Sequence, residues 1–537
     1  MKNTFIAIAA ACVLGCAAPV EAFNLNDSLM TNPMIWADVP DPDVIRVGDD
    51  FYMVTTTMHL MPGCPVMHSR DLVNWRTVSY VYDTLDDIPA YSLDGDDTVY
   101  GRGQWATTLR HHDGWFYVLF GTNDEPHRSF IYRSREATGP WELVSRPEHF
   151  HDSSMLFDDD GRVYVFSGSG DIRLREMEPD LSGAKPGGVD QIIISPSGDE
   201  KIGLHEGSRA FKHNGKYYLY VIAWPAGKPR RQLCYRADSI TGPWEKQVVL
   251  QTEFGGFSYL AQGTVVDDPQ GRWWGVIFQD RGGVGRVLTL IPCTWKDGWP
   301  MLGDAEGRVP EVMAKPVAGE EACSLVQSDS FDAPVLGVHW QWNHNPDPAG
   351  WSLTERPGHL RLRTTHKAPT IYHARNTISQ RMEGPGCTAT VRLDTSGMLP
   401  GDVAGLGAFN GHSGLLCVKK QADGSLRLCL DSELVAFRED TPTKTIASVE
   451  SECLYEAPLS GVDVWLRIGA DFRPGRDIAT FAYSKDGEHW TEIPAEYKMQ
   501  FDYRRLFMGT RLALFNYATE QTGGYADFDF FDYSRLD

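Results

Sequence analysis

The sequence predicts an all-β protein: a leader at residues 1–22, a five-bladed β-propeller over 23–320 and a β-sandwich over 321–537. Three observations carry that expectation. A unit made of a strand, a tight Asp/Asn/Gly-type turn and a second, aromatic strand recurs five times at one internal register. The recurrence stops at a Pro/Gly/Glu-rich stretch near 311–328. Beyond it, short runs alternating apolar and polar residues continue to Asp537.

The start, "MKNTFIAIAAACVLGCAAPVEAF", sets Lys2 before an apolar run from Phe5 to Leu14 and small residues before Phe23, the pattern of a secretory leader cut after Ala22. That run is too short to span a membrane. "VLGC", ending at Cys16, also reads as a lipoprotein box, so the expected location is outside the cytoplasm, either free or lipid-anchored through Cys16.

The five units are "DPDVIRVGDDFYMV" from Asp41, "WATTLRHHDGWFYVLF" from Trp105, "DSSMLFDDDGRVYVFS" from Asp152, "EGSRAFKHNGKYYLYV" from Glu206 and "QGTVVDDPQGRWWGVIF" from Gln262. In each, the first residue stands eight positions before the turn residue Asp49, Asp113, Asp160, Asn214 or Gln270. A third strand and a polar turn approaching a Trp or an acid follow every unit, as in "MHSRDLVNWR" and "YRADSITGPWEK". A sandwich also has many short strands, but it would not repeat one unit at a constant register, so propeller blades are the better reading. After the linker, "LRLRT", "CTATVRL", "VWLRIGADF" and "GYADFDFF" read as antiparallel sandwich strands.

A formal net charge of −22 with no basic run excludes a nucleic-acid partner, because neutralising phosphates needs clustered Lys and Arg. The aromatic content supplies flat apolar faces that suit sugar rings, although most must be core. Eight cysteines beyond the leader are scattered without a CxxC pair, which leaves buried thiols or disulfides open and gives no zinc motif. Oligomeric state is not written in any of these patterns.

In a propeller the innermost strands surround a central channel, so equivalent positions at their mouths converge. Asp41, Trp105, Asp152, Glu206 and Gln262 then form one site of three carboxylates, an aromatic platform and an amide. Two acids flanking a glycosidic bond can divide labour, one protonating the leaving oxygen and the other activating water, and a third carboxylate raises the pKa of the acid beside it. Such chemistry requires no cofactor. The alternative is that the acids hold a structural cation.

At these residues the chain resembles glycoside hydrolase family 43, through "DVPDPDVIRVGDDFYMV", "MPGCPVMHSRDLVNW", "HDSSMLFDDDGRVYV", "HEGSRAFKHNGKYYL" and "GRVLTLIPCTWKDGWPMLG". The resemblance implies a five-bladed propeller that hydrolyses arabinose- or xylose-containing glycans with inversion. It makes Asp41 the general base, Glu206 the general acid and Asp152 the residue that tunes and orients the acid. Arg286, in "GVGRVLTL", matches an arginine that reaches into the pocket. Where many members have an aromatic in an "FPG"-like loop of the first blade, this chain has "HLMPG", so His59, Leu60 and Met61 are expected to line the pocket differently.

Many members hold a calcium ion through a fifth-blade histidine; Gln262 occupies that position and offers a weaker amide oxygen. The C-terminal part resembles the lectin-like (concanavalin-like) domain of xylan-acting relatives, where a loop closes one side of the pocket. "WQWNHNP", Trp340 to Pro346 with Trp342 at its centre, is the expected loop, and Asp332 and Asp527 the expected ligands of a structural calcium. The expected activity is an exo-acting inverting hydrolase that releases terminal β-1,4-xylosyl units from plant hemicellulose oligosaccharides. The alternatives are an α-L-arabinofuranosidase, a retaining relative and a non-catalytic glycan-binding propeller.

Overall fold

The computed structural model describes residues 28–317, 322–441 and 443–536. The leader, Cys16 and the boundary between 320 and 321 lie outside the described residues.

Five four-stranded antiparallel sheets follow one another, and in each the strands pair in sequence order. Their innermost strands are Asp43–Val47, Gln104–His112, Ser154–Phe157, Gly203–His213 and Leu260–Asp267. The turn residues act as the sequence pattern requires. In the second and fourth blades, Asp113-Gly114 and Asn214-Gly215 take positive φ at both positions (49° and 73°; 48° and 76°). Two-residue turns of this kind match the twist of the strands they join, here pairing His112 with Trp115 and His213 with Lys216.

The ring is closed by its ends. Leu29–Thr31 pairs with Val312–Ala314, so the segment entering the first blade is held by the segment leaving the fifth. Asn32 reinforces this: its side-chain amide donates to the carbonyls of Leu290 and Pro310 and accepts from the Leu290 N–H. Between the same two blades, Phe51, Trp75, Trp274 and Phe278 pack in one buried cluster. Each such side chain contributes ~1.5–3 kcal/mol relative to exposure, which makes this seam cohesive without any covalent link.

The C-terminal part is a sandwich of a nine-stranded and an eight-stranded sheet. The nine-stranded sheet begins and ends with strands from the propeller part, Leu60–Met61 and Asp97–Thr98. Trp342 pairs with Met61 and Asn343 with Leu60. The segment expected to wall the pocket is therefore a seam between the two halves: Trp340, Trp342, Asn343, His344 and Asn345 are all buried in it.

The expected calcium pair is not assembled either. Arg361 stands opposite Asp527 in the strand register, and Arg361 and Arg356 both donate to the Asp527 carboxylate at 2.8–2.9 Å. Asp527 is buried with its charge already met by guanidinium groups, whereas Asp332 is exposed.

Candidate active site

All five register positions, Asp41, Trp105, Asp152, Glu206 and Gln262, line one cavity of about 1300 Å³ at the mouth of the channel. Two backbone devices place them. In the second, fourth and fifth blades the innermost strand bulges at its start, between Gln104 and Thr107, Glu206 and Arg209, and Leu260 and Gly263. A bulge re-aims the side chains on and beside it, here Trp105 and Gln262 within the bulge and Glu206 immediately before it. In the first and third blades the strand starts later, and Asp41 (φ 56°) and Asp152 (φ 45°) take the left-handed conformation instead. Few non-glycine residues adopt it, and Asp is among those that tolerate it best.

The next position in the fourth blade must be glycine. Gly207 has φ 78°, and a Cβ there would come within 2.6 Å of the Gln262 amide carbon. Glycine thus lets the fourth and fifth blades meet directly beneath Glu206.

Asp41 accepts a hydrogen bond from the Thr56 hydroxyl at 2.7 Å and faces the Arg286 guanidinium at 3.5 Å. Arg286 is itself fixed by donating to the Phe507 carbonyl at 3.1 Å, with its guanidinium over the Phe507 ring at 4.3 Å. Arg209, on the innermost strand of the fourth blade, is buried and donates to the carbonyls of Asp41 and Pro42 in the first. The residues present do not fit a central calcium: Gln262 offers one neutral oxygen, and a guanidinium already sits on the carbonyls beneath Asp41. A hard cation asks for six to eight oxygens.

The sequence reading missed His151, although it precedes Asp152. Its Nε2 lies 3.2 Å from Glu206 Oε2 and 3.9 Å from Asp152 Oδ1, and one donor atom of each of the three residues lies within 4.8 Å of the others. Burial opposes a charge on His151, but Asp152, Glu206 and Asp41 outweigh it and raise its pKa to about 9. Asp152 is pushed up to about 7, chiefly by burial, with Glu206 and Asp41 adding to it. Burial would also raise Glu206, but the hydrogen bond and charge of His151 prevail and hold it below the usual range. The expected order, in which Asp152 lifts Glu206, is thus reversed in the free site by the imidazolium between them.

One wall comes from the sandwich, through a segment not singled out from the sequence. Met499, Gln500, Phe501, Tyr503 and Phe507 line the cavity, and Phe507 stands 5.6 Å from the Trp105 ring. The segment is pinned at Asp38, whose carboxylate accepts from the N–H groups of both Arg286 and Gly509. Nothing local in a chain pattern announces that Arg286 and Phe507, 221 positions apart, share a wall. Opposite, Trp224 carries the Arg230 guanidinium 4.4 Å above its ring, and Arg230 pairs with Asp280 at 2.8 Å.

Four expected pocket residues are not in this wall. His59 is fully buried against Tyr100 and His344, accepts from the Gly101 N–H, and is held neutral by burial, with its pKa lowered to about 3. Trp342 is buried in the seam described above, with Leu60 and Met61. All four serve the junction between the halves, which strand pairing decided and local sequence did not show.

Comparison with known proteins agrees with this architecture. The family model for glycosyl hydrolases family 43 matches residues 30–300, and that for the β-xylosidase C-terminal concanavalin A-like domain matches 328–534. The chain is 29% identical to a β-xylosidase of Formosa agariphila, covering 95% of this chain and 90% of that one. It is 32% identical to a non-reducing end α-L-arabinofuranosidase of Bacteroides ovatus, covering 71% and 74%. Among solved structures, a bifunctional GH43-CE protein of Bacteroides eggerthii superimposes with a TM-score of 0.87 at 42% identity over 95% of this chain; the chain spans 64% of that longer protein.

Proposed function

From the premise that this chain belongs to glycosyl hydrolases family 43, we propose that it is an exo-acting, inverting hydrolase releasing terminal pentose, β-1,4-xylosyl in the first place, from plant hemicellulose oligosaccharides. The observation that carries the reading is the meeting of Asp41, Asp152 and Glu206, from three different blades, in one aromatic-walled cavity. The sandwich segment around Phe507 bounds that cavity on one side, which favours a chain end over a chain interior.

In this reading Asp41 takes a proton from the attacking water, and Glu206 gives one to the glycosidic oxygen as the bond to the anomeric carbon breaks. The proton starts on His151. In the open cavity water stabilises the imidazolium–carboxylate pair; a sugar seated over it excludes water, and a low dielectric favours the neutral pair. The proton then moves from His151 Nε2 to Glu206 Oε2 and on to the leaving oxygen. After departure of the products His151 is reprotonated from solvent and Asp41 releases its proton. Trp105 and Phe507 offer ring faces to the sugar, and Arg286 orients Asp41.

The stereochemistry and the substrate are read together by NMR of products from aryl β-xyloside and aryl α-L-arabinofuranoside. Inversion predicts α-xylose as the first anomer from the xyloside and β-arabinose from the arabinofuranoside. Retention of configuration would refute the assignment of Asp41 as a base, and a markedly faster arabinofuranoside would transfer the reading to the activity named for the Bacteroides ovatus relative.

A pH profile tests His151. Because its raised pKa keeps the donor charged below about 9, the alkaline limb of kcat/KM is expected near that pH. Deprotonation of Asp152 near 7 changes the field without removing the donor. In His151→Asn the proton must reside on the Glu206 carboxyl, so the alkaline limb moves to lower pH. A role confined to structure would lower kcat and leave the limb in place.

A further inference from the structure

The nine-stranded sheet carries a cluster that hydrolysis does not use. Cys429 and Asp431 alternate along the strand Leu426–Phe437 and so share a face, and Cys453 lies opposite Asp431 on the neighbouring strand Lys444–Leu459. The register shifts between Leu430 and Asp431. Two sulfurs and a carboxylate oxygen consequently lie within 4.8 Å of one another.

A second observation points to a ligand. Asp431 is only 6% exposed. Its Oδ2 receives the Lys419 ammonium at 2.6 Å and the Cys417 thiol at 3.9 Å, but its buried Oδ1 has no hydrogen-bond partner. A buried carboxylate oxygen left without a donor is costly. Cys453 is exposed, with its thiol donating to the Tyr455 carbonyl, so an ion can enter from solvent.

We propose that Cys429, Asp431 and Cys453 form a binding site for a borderline-soft divalent cation of the zinc type. Two thiolates with one carboxylate are a donor set that favours zinc over calcium or magnesium, and three protein ligands leave the fourth tetrahedral position to water or to Glu456, which faces Cys429 in the register. The charges close. With water in the fourth position, two thiolates and a carboxylate carry three negative charges and Lys419 with a divalent ion carries three positive ones, so the half-buried cluster is neutral when filled. Binding releases both thiol protons. Because those protons must leave, affinity increases with pH.

The test uses the full chain, reduced and freed of metal, titrated with Co²⁺ and then challenged with Zn²⁺. The expected result is one ion per chain, a thiolate-to-cobalt charge-transfer band that Zn²⁺ abolishes, and tighter binding as pH rises. Cys453→Ser should remove the band, Asp431→Asn should weaken binding at least tenfold, and hydrolysis of aryl glycosides should stay unchanged in both. Cys429→Ser should behave as Cys453→Ser; if it does not fold, the exposed Cys453 variant decides alone. Absence of the band, its persistence in Cys453→Ser, or mass spectrometry showing Cys429 joined to Cys453 in a disulfide in the protein as it is isolated from cells would each overturn the proposal.

Discussion

Glu206→Gln is expected to lower kcat on substrates with poor leaving groups by about 10²–10⁴-fold while leaving binding of the sugar nearly unchanged, because an amide keeps the shape but cannot deliver a proton. The loss should shrink sharply on a dinitrophenyl glycoside, whose leaving group departs without protonation. That dependence on the leaving group separates an acid from a binding residue. An equal loss on all substrates, or no loss, would remove Glu206 from the acid's role; a wild-type chain that binds glycan without any turnover, with binding indifferent to Glu206→Gln, would favour a glycan-binding propeller.

Asp41→Asn should cost a similar factor, about 10²–10⁴ in kcat, but without regard to leaving group, since activation of water is needed whichever oxygen departs. Asparagine is the appropriate replacement because position 41 has φ 56°, a conformation Asn tolerates and most residues do not. The Thr56 hydroxyl can still donate to the amide oxygen, so the loop should keep its course. Calorimetric titration with xylose checks that the pocket survives. If Asp41→Asn recovered full activity on the dinitrophenyl glycoside, Asp41 would not be the base.

The propeller and its five convergent positions were legible because turn chemistry and strand length are local properties. Eight residues separate each turn from the mouth in every blade, so Asp41, Trp105, Asp152, Glu206 and Gln262 could be aligned before any strand was paired. Asp41 and Asp152 reach the cavity by a left-handed residue and the other three by a bulge, yet the count is the same, and the pattern held across both devices. What escaped was non-local. His59 and Trp342 look like pocket residues until the pairing of Trp342 with Met61 places both in a seam. Asp527 resembles a calcium ligand until the register sets Arg361 against it. Phe507 reaches Arg286 from the far end of the chain, a contact that no periodicity encodes. His151 is different in kind: it adjoins Asp152, and a titratable residue beside an expected catalytic acid was a signal that could have been used.

The nine-stranded sheet of the sandwich has a consequence for how this chain behaves among its own copies. An open sheet edge is a template on which a second molecule can add a strand, and long, flat, apolar edges polymerise. Here one end is covered by Leu60–Met61, and the other by Asp97–Thr98 over Lys444 and Thr445, with the Asp96 carbonyl accepting from the Ile446 N–H. The uncovered remainder of that last strand carries Glu450, Glu452 and Glu456, so two such edges approaching one another would set like charges face to face. The first half of the chain therefore guards the second against edge-to-edge association, and a sandwich expressed without its propeller should be the fragment that aggregates.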